Sequence, residues 1–371
     1  NVPVIRDVAC MVDILEYLGA RCCHKGDCLV IDARHITGTS IPETYVTAMR
    51  SSIVVLSALL GRMGEGRSCY PGGCLIGARP IDLHLMALQA LGAEIKEHDG
   101  LIEARCRDAQ GLKGTEIHLP YPSVGATEQA ILASVLAKEV TVIHGAAKEP
   151  EISQLCRFLN NMGAVICGMG TDHLMIQGVE ELHDSSFRVE GDRIVAGTYA
   201  AAVMAAMGSI TLKEVRAAEL ELPLEMLKRS GASIQKDSCC RQIRIEMKKR
   251  PLPLDIKTGP YPEFPTDLQS PYMAFLASGQ GTSTIVEQVF EGRFATAKAL
   301  VQMGAAVETE GQRAVIKGSY PLKGASVYAS DLRGGAALAV AALAAEGETL
   351  INDCQHIERG YEDICRDMAA L

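Results

Sequence analysis

The chain has no apolar run approaching the roughly 18 to 20 residues that a membrane-spanning helix needs. A spanning helix is thereby excluded, and no membrane partner is expected. Its first residues carry neither a basic segment leading into an apolar one nor a small-residue cleavage site, so the expected location is cytoplasmic. Positive charge is also short: 36 Lys and Arg stand against 45 Asp and Glu, a net charge of -9. Phosphate neutralisation needs clustered cations, so a general nucleic-acid surface is excluded and any anionic ligand needs a local basic pocket. Missing too is a Cys-x-x-Cys pair among the 13 cysteines, an odd number in a chain too long to be a small disulfide scaffold. They are expected to be reduced, most of them in the core. The densest group, Cys22, Cys23, His24 and Cys28, falls on a predicted hairpin whose adjacent residues point to opposite faces, which argues against a metal there. Neither a metal nor a cofactor is expected.

What the chain does have is a repeat. Helices close on a Gly-Ala pair at Leu18-Gly19-Ala20, Leu91-Gly92-Ala93, Met162-Gly163-Ala164, Ser230-Gly231-Ala232 and Met303-Gly304-Ala305, with the glycines 73, 71, 68 and 73 residues apart. Before each of the last four pairs, and once more after the fifth, lies a helix rich in small residues and apolar nearly all round: Met49 to Leu60, Ser123 to Ala137, Gly197 to Met207, Asp267 to Ala277 and Leu332 to Ala345. A surface helix shows one apolar stripe, so these are expected inside, packed closely through Ala, Gly and Ser. A strand, an amphipathic helix, the Gly-Ala pair and two alternating strands follow, giving a unit α-β-α-β-β.

Six units, three to a globule, predict an α/β protein of two similar globules with helices inside and sheets outside. The polar stretch around Glu180 to Ser186 places the division between 183 and 184, so that 1–183 carries Cys74 and 184–371 carries Asp267, Asp331 and Arg359. The first strand is expected at Val2 to Ile5, without the interior helix that should precede it. Residues 361–371 read as the helix of a sixth copy whose Gly-Ala pair would fall beyond Leu371.

One joint departs from its siblings. Tyr70-Pro-Gly-Gly-Cys-Leu-Ile-Gly-Ala-Arg-Pro80 replaces a short strand-to-helix connection with a glycine-rich loop, and Pro80 suits the first turn of a helix over Ile81 to Leu91. Cys74 thus sits near a helix N-terminus and Arg79, surroundings that lower a thiol pKa. Elsewhere charged residues start interior helices: Arg50, Asp192-Arg193, Thr266-Asp267 and Asp331-Leu-Arg333, with Arg293 and Arg359 in nearby joints. The aspartates suit helix caps. Arginines there oppose the helix dipole unless something anionic is present, which points to phosphate groups.

Pro71-Gly-Gly-Cys-Leu-Ile-Gly-Ala-Arg-Pro-Ile-Asp-Leu-His84, with Ser123-Val-Gly-Ala126, Phe264-Pro-Thr-Asp267, Phe290-Glu-Gly-Arg-Phe294, Asp331-Leu-Arg333 and Ile357-Glu-Arg-Gly-Tyr361, resembles the enolpyruvyl transferase family over nearly the whole chain. The resemblance is to its branch that acts on UDP-N-acetylglucosamine at the start of peptidoglycan synthesis. It implies two inverted globules, with the active site in the cleft between them. It also implies transfer of enolpyruvyl from phosphoenolpyruvate to the sugar 3-hydroxyl through a tetrahedral intermediate, with release of phosphate. Cys74 would be the proton donor, the residue that forms the phosphoenolpyruvate adduct and the target of fosfomycin; Asp267 would contact the attacking hydroxyl. Arg50, Arg79, His84 and Arg359 would bind phosphoenolpyruvate. Pro80, Ile81, Asp82, Leu83, Pro122, Ser123, Val124, Gly125 and Val289 would line the nucleotide sugar, with Arg293, Asp331 and Arg333 beside them. The partners would be these two small molecules, with the chain a monomer or weak homo-oligomer. Tyr121 stands where the family commonly has Lys, and Tyr261 where it often has His. Two rivals remain at this point. A shikimate 3-phosphate enzyme would lack the Pro-Gly-Gly-Cys loop; a catalytically silent, sugar-binding paralogue would tolerate Tyr121.

In the family a Lys-Asn pair on the first interior helix brings lysine to phosphoenolpyruvate, and residues 1–371 carry no counterpart. Phosphate release by residues 1–371 is therefore expected to be weak and to rise when that helix is supplied ahead of Asn1; full turnover by residues 1–371 alone would refute this.

Overall fold

The computed structural model describes residues 1–72, 77, 80–237 and 239–369. Along the chain it separates into two compact units that divide between Val189 and Glu190, a few residues past the polar stretch read as the boundary.

The Gly-Ala pair is a helix stop. Gly19, Gly92, Gly163, Gly231 and Gly304 all have positive φ, between 84° and 110°, a region in which any other residue is strained. In the third copy Gly163 N–H donates to Asn160 O at 3.1 Å and Ala164 N–H reaches back to Leu159 O at 3.0 Å; Ala232 and Ala305 make the same return bond to Leu227 and Leu300. This pattern closes the last helical turn and satisfies its carbonyls. The alanine that follows is buried in every copy, so the pair both ends the helix and starts a strand into the core.

The interior helices are as buried as their composition requires. In the second unit Arg193–Ala206, Gln269–Ala277 and Leu332–Ala342 pack against one another, and every residue from Gln269 to Ala277 is buried. In the first unit Val55–Met63 and Val124–Ser134 pack together, joined by Asp82–Ala90. Alanine and glycine along these helices, such as Ala200, Ala201 and Gly197, where a Cβ would fall 2.5 Å from Leu268 Cδ1, let neighbours approach closely with little side-chain entropy lost. Two helices begin differently from expectation. Met49 to Leu60 divides into a 3-10 turn, Arg50–Val54, and the helix Val55–Met63, while Asp267 lies in a 3-10 turn, Thr266–Leu268, ahead of Gln269–Ala277.

Sheets cover the helices. In the first unit Glu65–Cys69 and Ala93–His98 flank Leu101–Cys106; the second sheet runs Glu116–His118, Val140–His144, His173–Gln177, Val165–Cys167. The second unit repeats both arrangements, with Gln242–Glu246 central in one sheet and the order Asp255–Lys257, Thr282–Val286, Arg313–Lys317, Ala306–Glu310 in the other. Along these strands Ile102 and Ala104, Leu174 and Ile176, Ile243 and Ile245, Ala314 and Ile316 turn inward while their neighbours face water. The α-β-α-β-β reading omits one element. Glu116–His118, Asp255–Lys257 and Ser326–Tyr328 each precede an interior helix and pair in parallel with the strand that follows it. In the copies begun by Glu116–His118 and Asp255–Lys257 the unit is β-α-β-α-β-β, its parallel pair bridged by the helix.

The chain ends also differ. Val2 to Ile5 forms no strand and is tied down by Val2 N–H on Asp27 O at 2.7 Å. Residues 361–371 do not form one helix: a 3-10 turn over Cys354–Arg359 leads to a short helix, Ile364–Met368, capped by Asp363.

Gly178 follows the strand His173–Gln177 and passes so close to its neighbour that a Cβ would fall 1.6 Å from Ala137 O; Gly318, at the same place in the fifth copy, would fall 2.0 Å from Gly279 O. Because backbone must give way, Gly178→Ala is expected to cost about 1–3 kcal/mol of stability, read as a lower urea midpoint at an unchanged slope.

Candidate functional site

Asp267 is the centre of charge in the second unit. Its Oδ1 accepts a hydrogen bond from the Arg293 guanidinium and lies 3.6 Å from Arg333 Nε. Arg293 is 2 % exposed; its Nε donates to Thr266 O at 3.3 Å and its Nη1 lies 4.0 Å from Asp331 Oδ1. Asp331 in turn caps the helix Leu332–Ala342, accepting from the N–H groups of Arg333 and Gly334 at 3.0 Å each. Burial by itself would push the Asp267 carboxyl up, but the charge of Arg333, then the charge and hydrogen bond of Arg293, and Arg193 beyond them hold it down at about 2. Burial works against the positive charge of Arg333, which Asp267, Tyr361 and Asp192 hold in place.

Three helix starts deliver these groups. Asp192 caps Arg193–Ala206, accepting from Ile194 and Val195 N–H at 2.7 and 2.9 Å, and the Arg193 guanidinium stands 5.6 Å from the Tyr261 ring centre. Arg193, Tyr261, Pro265 and Glu219 line a pocket in this unit. The cap reading of Asp192 and Asp331 therefore holds, and Asp331 faces Arg293 as well. Arg293 departs from its reading as an anion-binding arginine: its guanidinium is buried against Asp267 and Thr266 of its own chain, which supplies the negative charge a helix-start arginine requires.

Glu287 was not singled out from the sequence. It is wholly buried: Oε2 accepts from the Thr266 hydroxyl at 2.9 Å, and Oε1 from Val289 and Phe290 N–H at 2.8 and 3.1 Å. It thus ties the residue before Asp267 to the loop that carries Val289. An acidic residue ending an apolar β-branched run, Thr282 to Val286, was the available signal. Arg359 closes the turn Cys354–Arg359, and a Cβ on the next residue, Gly360, would meet Leu332 at 3.1 Å, so this turn lies against the start of the helix that carries Arg333.

In the first unit the structure brings three segments together. Arg50 Nη2 donates to Pro80 O at 3.2 Å. Ile81 is buried before Asp82–Ala90, Asp82 is exposed and Leu83 half-buried. The buried His84 ring stands against Gly125, where a Cβ would fall 2.7 Å from Cε1, so Gly125 is the residue this contact permits. Ser123 caps Val124–Ser134, its Oγ accepting from Ala126 N–H at 3.3 Å, and Pro122, Ser123, Val124 and Gly125 are all half-buried. Two helix N-termini and a guanidinium are thereby neighbours, an arrangement suited to an anion. Cys74 and Arg79 lie outside the described residues. Tyr121 is 43 % exposed.

The family profile described as EPSP synthase (3-phosphoshikimate 1-carboxyvinyltransferase) matches residues 1–368. The chain belongs to the enolpyruvyl transferase family. Among curated relatives, this transferase is 45 % identical over 365 residues to UDP-N-acetylglucosamine 1-carboxyvinyltransferase 2 of Caldanaerobacter subterraneus subsp. tengcongensis, covering 98 % of this chain and 86 % of that one. It is 44 % identical over 380 residues to UDP-N-acetylglucosamine 1-carboxyvinyltransferase of Zymomonas mobilis, covering 100 % and 88 %. Among solved structures it is similar to the enolpyruvyl transferase NikO from Streptomyces tendae, with TM-score 0.88, 23 % identity and coverage of 100 % and 87 %. EPSP synthase from Acinetobacter baumannii shares the fold at TM-score 0.70 and 16 % identity, covering 98 % and 86 %. The transferase fold, mixed α/β with helices inside sheets, is that expected.

A carboxyl held at about 2 stabilises the folded state above the ordinary carboxylate range, and this contribution is lost as pH falls from about 4 towards about 2. Replacing Arg333 by Gln should move Asp267 upward towards that ordinary range; carboxyl-carbon NMR titration of both proteins measures the shift.

Proposed function

We propose that this transferase moves the enolpyruvyl group of phosphoenolpyruvate to the 3-hydroxyl of UDP-N-acetylglucosamine and releases inorganic phosphate. The observation that carries the proposal is the 44–45 % identity, over 98–100 % of the chain, to carboxyvinyltransferases named for that sugar nucleotide. In the addition step the hydroxyl oxygen bonds to C2 of phosphoenolpyruvate while a proton goes to its methylene carbon. Phosphate then leaves from the tetrahedral adduct, and the methyl group gives a proton back.

Each group has a role in this scheme. Cys74 delivers the proton to the methylene carbon and forms the phosphoenolpyruvate adduct. Asp267 accepts the hydrogen bond of the attacking hydroxyl. Held at about 2 it is a weak base at rest that orients the hydroxyl, and it takes the hydroxyl proton as the bond to C2 forms and the oxygen becomes acidic. Arg50, Arg79, His84 and Arg359 hold the phosphate and carboxylate of the donor, where fixed positive charge stabilises the adduct. The segments Pro80 to Leu83 and Pro122 to Gly125, with Val289, receive the nucleotide sugar. Arg293, Asp331 and Arg333 keep Asp267 ionised and aimed. No cofactor takes part. The role in the cell is supply of the cell-wall precursor from the cytoplasm, tied to cell shape and division, with the chain acting as a monomer or weak homo-oligomer.

Phosphate release, assayed with the N-terminal helix supplied, should require both substrates, should fall on treatment with fosfomycin, and should drop ~100-fold or more in kcat for Asp267→Asn. A Cys74→Asp variant should keep part of the activity and resist fosfomycin, since a carboxylic acid donates a proton but is a poor target for alkylation. Release with shikimate 3-phosphate in place of the sugar would overturn the assignment.

A further inference from the structure

Three histidines stand in line across three strands on the outer face of the first unit. His118 of Glu116–His118 pairs in register with His144 of Val140–His144, and His144 pairs with His173 of His173–Gln177. The alternation that turns Ile117, Ile143 and Leu174 into the core turns these rings, and Glu116 two residues before His118, towards solvent. The His118 and His144 rings stack with centroids 4.4 Å apart, and the His173 ring meets that of His144 edge-on at 4.9 Å. Glu116 Oε2 lies 3.5 Å from His118 Nε2 and 3.8 Å from His144 Nε2.

We propose that Glu116, His118 and His144 form a binding site for a divalent transition metal of the zinc class. One donor atom from each of the three lies within 4.8 Å of the others. Ligand bonds of ~2.0–2.2 Å in tetrahedral geometry separate donor atoms by about 3.3–3.6 Å, so the two carboxylate-to-imidazole distances already stand at or just beyond that spacing. Closure requires the stacked rings to tilt until their lone pairs converge, a rotation that side chains on an open sheet face make readily. His144 Nε2 is closed to water and makes no hydrogen bond, which is unfavourable for a polar atom unless something binds it. Asp172 Oδ1 lies 2.8 Å from His173 Nδ1 and fixes the ring that stands edge-on to His144. Imidazole with one carboxylate suits zinc, nickel, cobalt or copper rather than magnesium or calcium. A metal here would clip together two strands at paired histidines that are 26 residues apart in sequence.

Cobalt(II) is the probe, because its spectrum separates imidazole and carboxylate ligands from the thiolates of this cysteine-rich chain. Titration of the whole chain at neutral pH should give one equivalent of visible d–d absorption without a thiolate charge-transfer band. His118→Ala and His144→Ala should each weaken binding by at least about ten-fold. His118 is exposed, so His118→Ala should leave the metal-free melting temperature unchanged. Excess zinc should raise that temperature for the parent chain and not for the His118→Ala, His144→Ala double variant. Absence of d–d absorption, or a charge-transfer spectrum with equal affinity in the double variant, would overturn the site.

Discussion

Close packing of helices made largely of alanine and glycine is the constraint on which the rest of this molecule depends. In the second unit Arg193–Ala206, Gln269–Ala277 and Leu332–Ala342 can approach one another because small buried residues such as Gly197, Ala200 and Ala337 keep the backbones near. Helices packed this tightly from the same unit place their first turns side by side. Charged residues set at those turns must then meet in partly desolvated surroundings, where charge is tolerated only if it is paired. The ring of Asp192, Arg193, Asp267, Arg293, Asp331 and Arg333 follows from this. Its members lie as far apart as 141 positions in sequence, yet Asp267 meets both Arg293 and Arg333, Arg293 reaches Asp331, and the charges of Asp192 and Arg193 act on the same group.

An ion pair with one buried partner, as Arg293 is here, is weak evidence of stability in itself, because desolvation offsets much of the attraction. Its value here lies in direction. Asp331 faces both the helix it caps and Arg293, and Glu287 holds Thr266 from one side and the Val289 loop from the other. Asp267 is fixed by neighbours that are themselves fixed, which is what a group that must meet one hydroxyl in one orientation requires.

Much of this was legible in the sequence. The Gly-Ala pairs mark helix ends because only glycine takes the left-handed conformation without strain, and composition alone separates interior helices from surface ones. The two-residue period of the outer strands is equally plain. What escaped has physical reasons. Glu116–His118, Asp255–Lys257 and Ser326–Tyr328 are three residues long, too short to display a period, and exist because a strand after the interior helix gives them a parallel partner. Val2 to Ile5 looks like a strand but has no neighbour in a sheet. The partner of Arg293 was invisible because Asp267 lies 26 residues away, and sequence shows that an arginine needs a counter-charge without showing which. Glu287 was missed for the same reason: three of its contacts are to backbone or hydroxyl groups whose approach depends on tertiary structure.

The strict alternation of the outer strands divides the protein into two regimes of change. Every second residue of those strands belongs to a filled interior in which one methylene too many is felt, whereas its neighbours answer only to water. The histidine row occupies the second class, beside Ile117, Ile143 and Leu174 in the first. Such a surface can acquire or lose a ligand within a few substitutions while the helices beneath and the charges at their ends stay as they are, so lineages with the same interior chemistry can come to differ in what their outer faces hold.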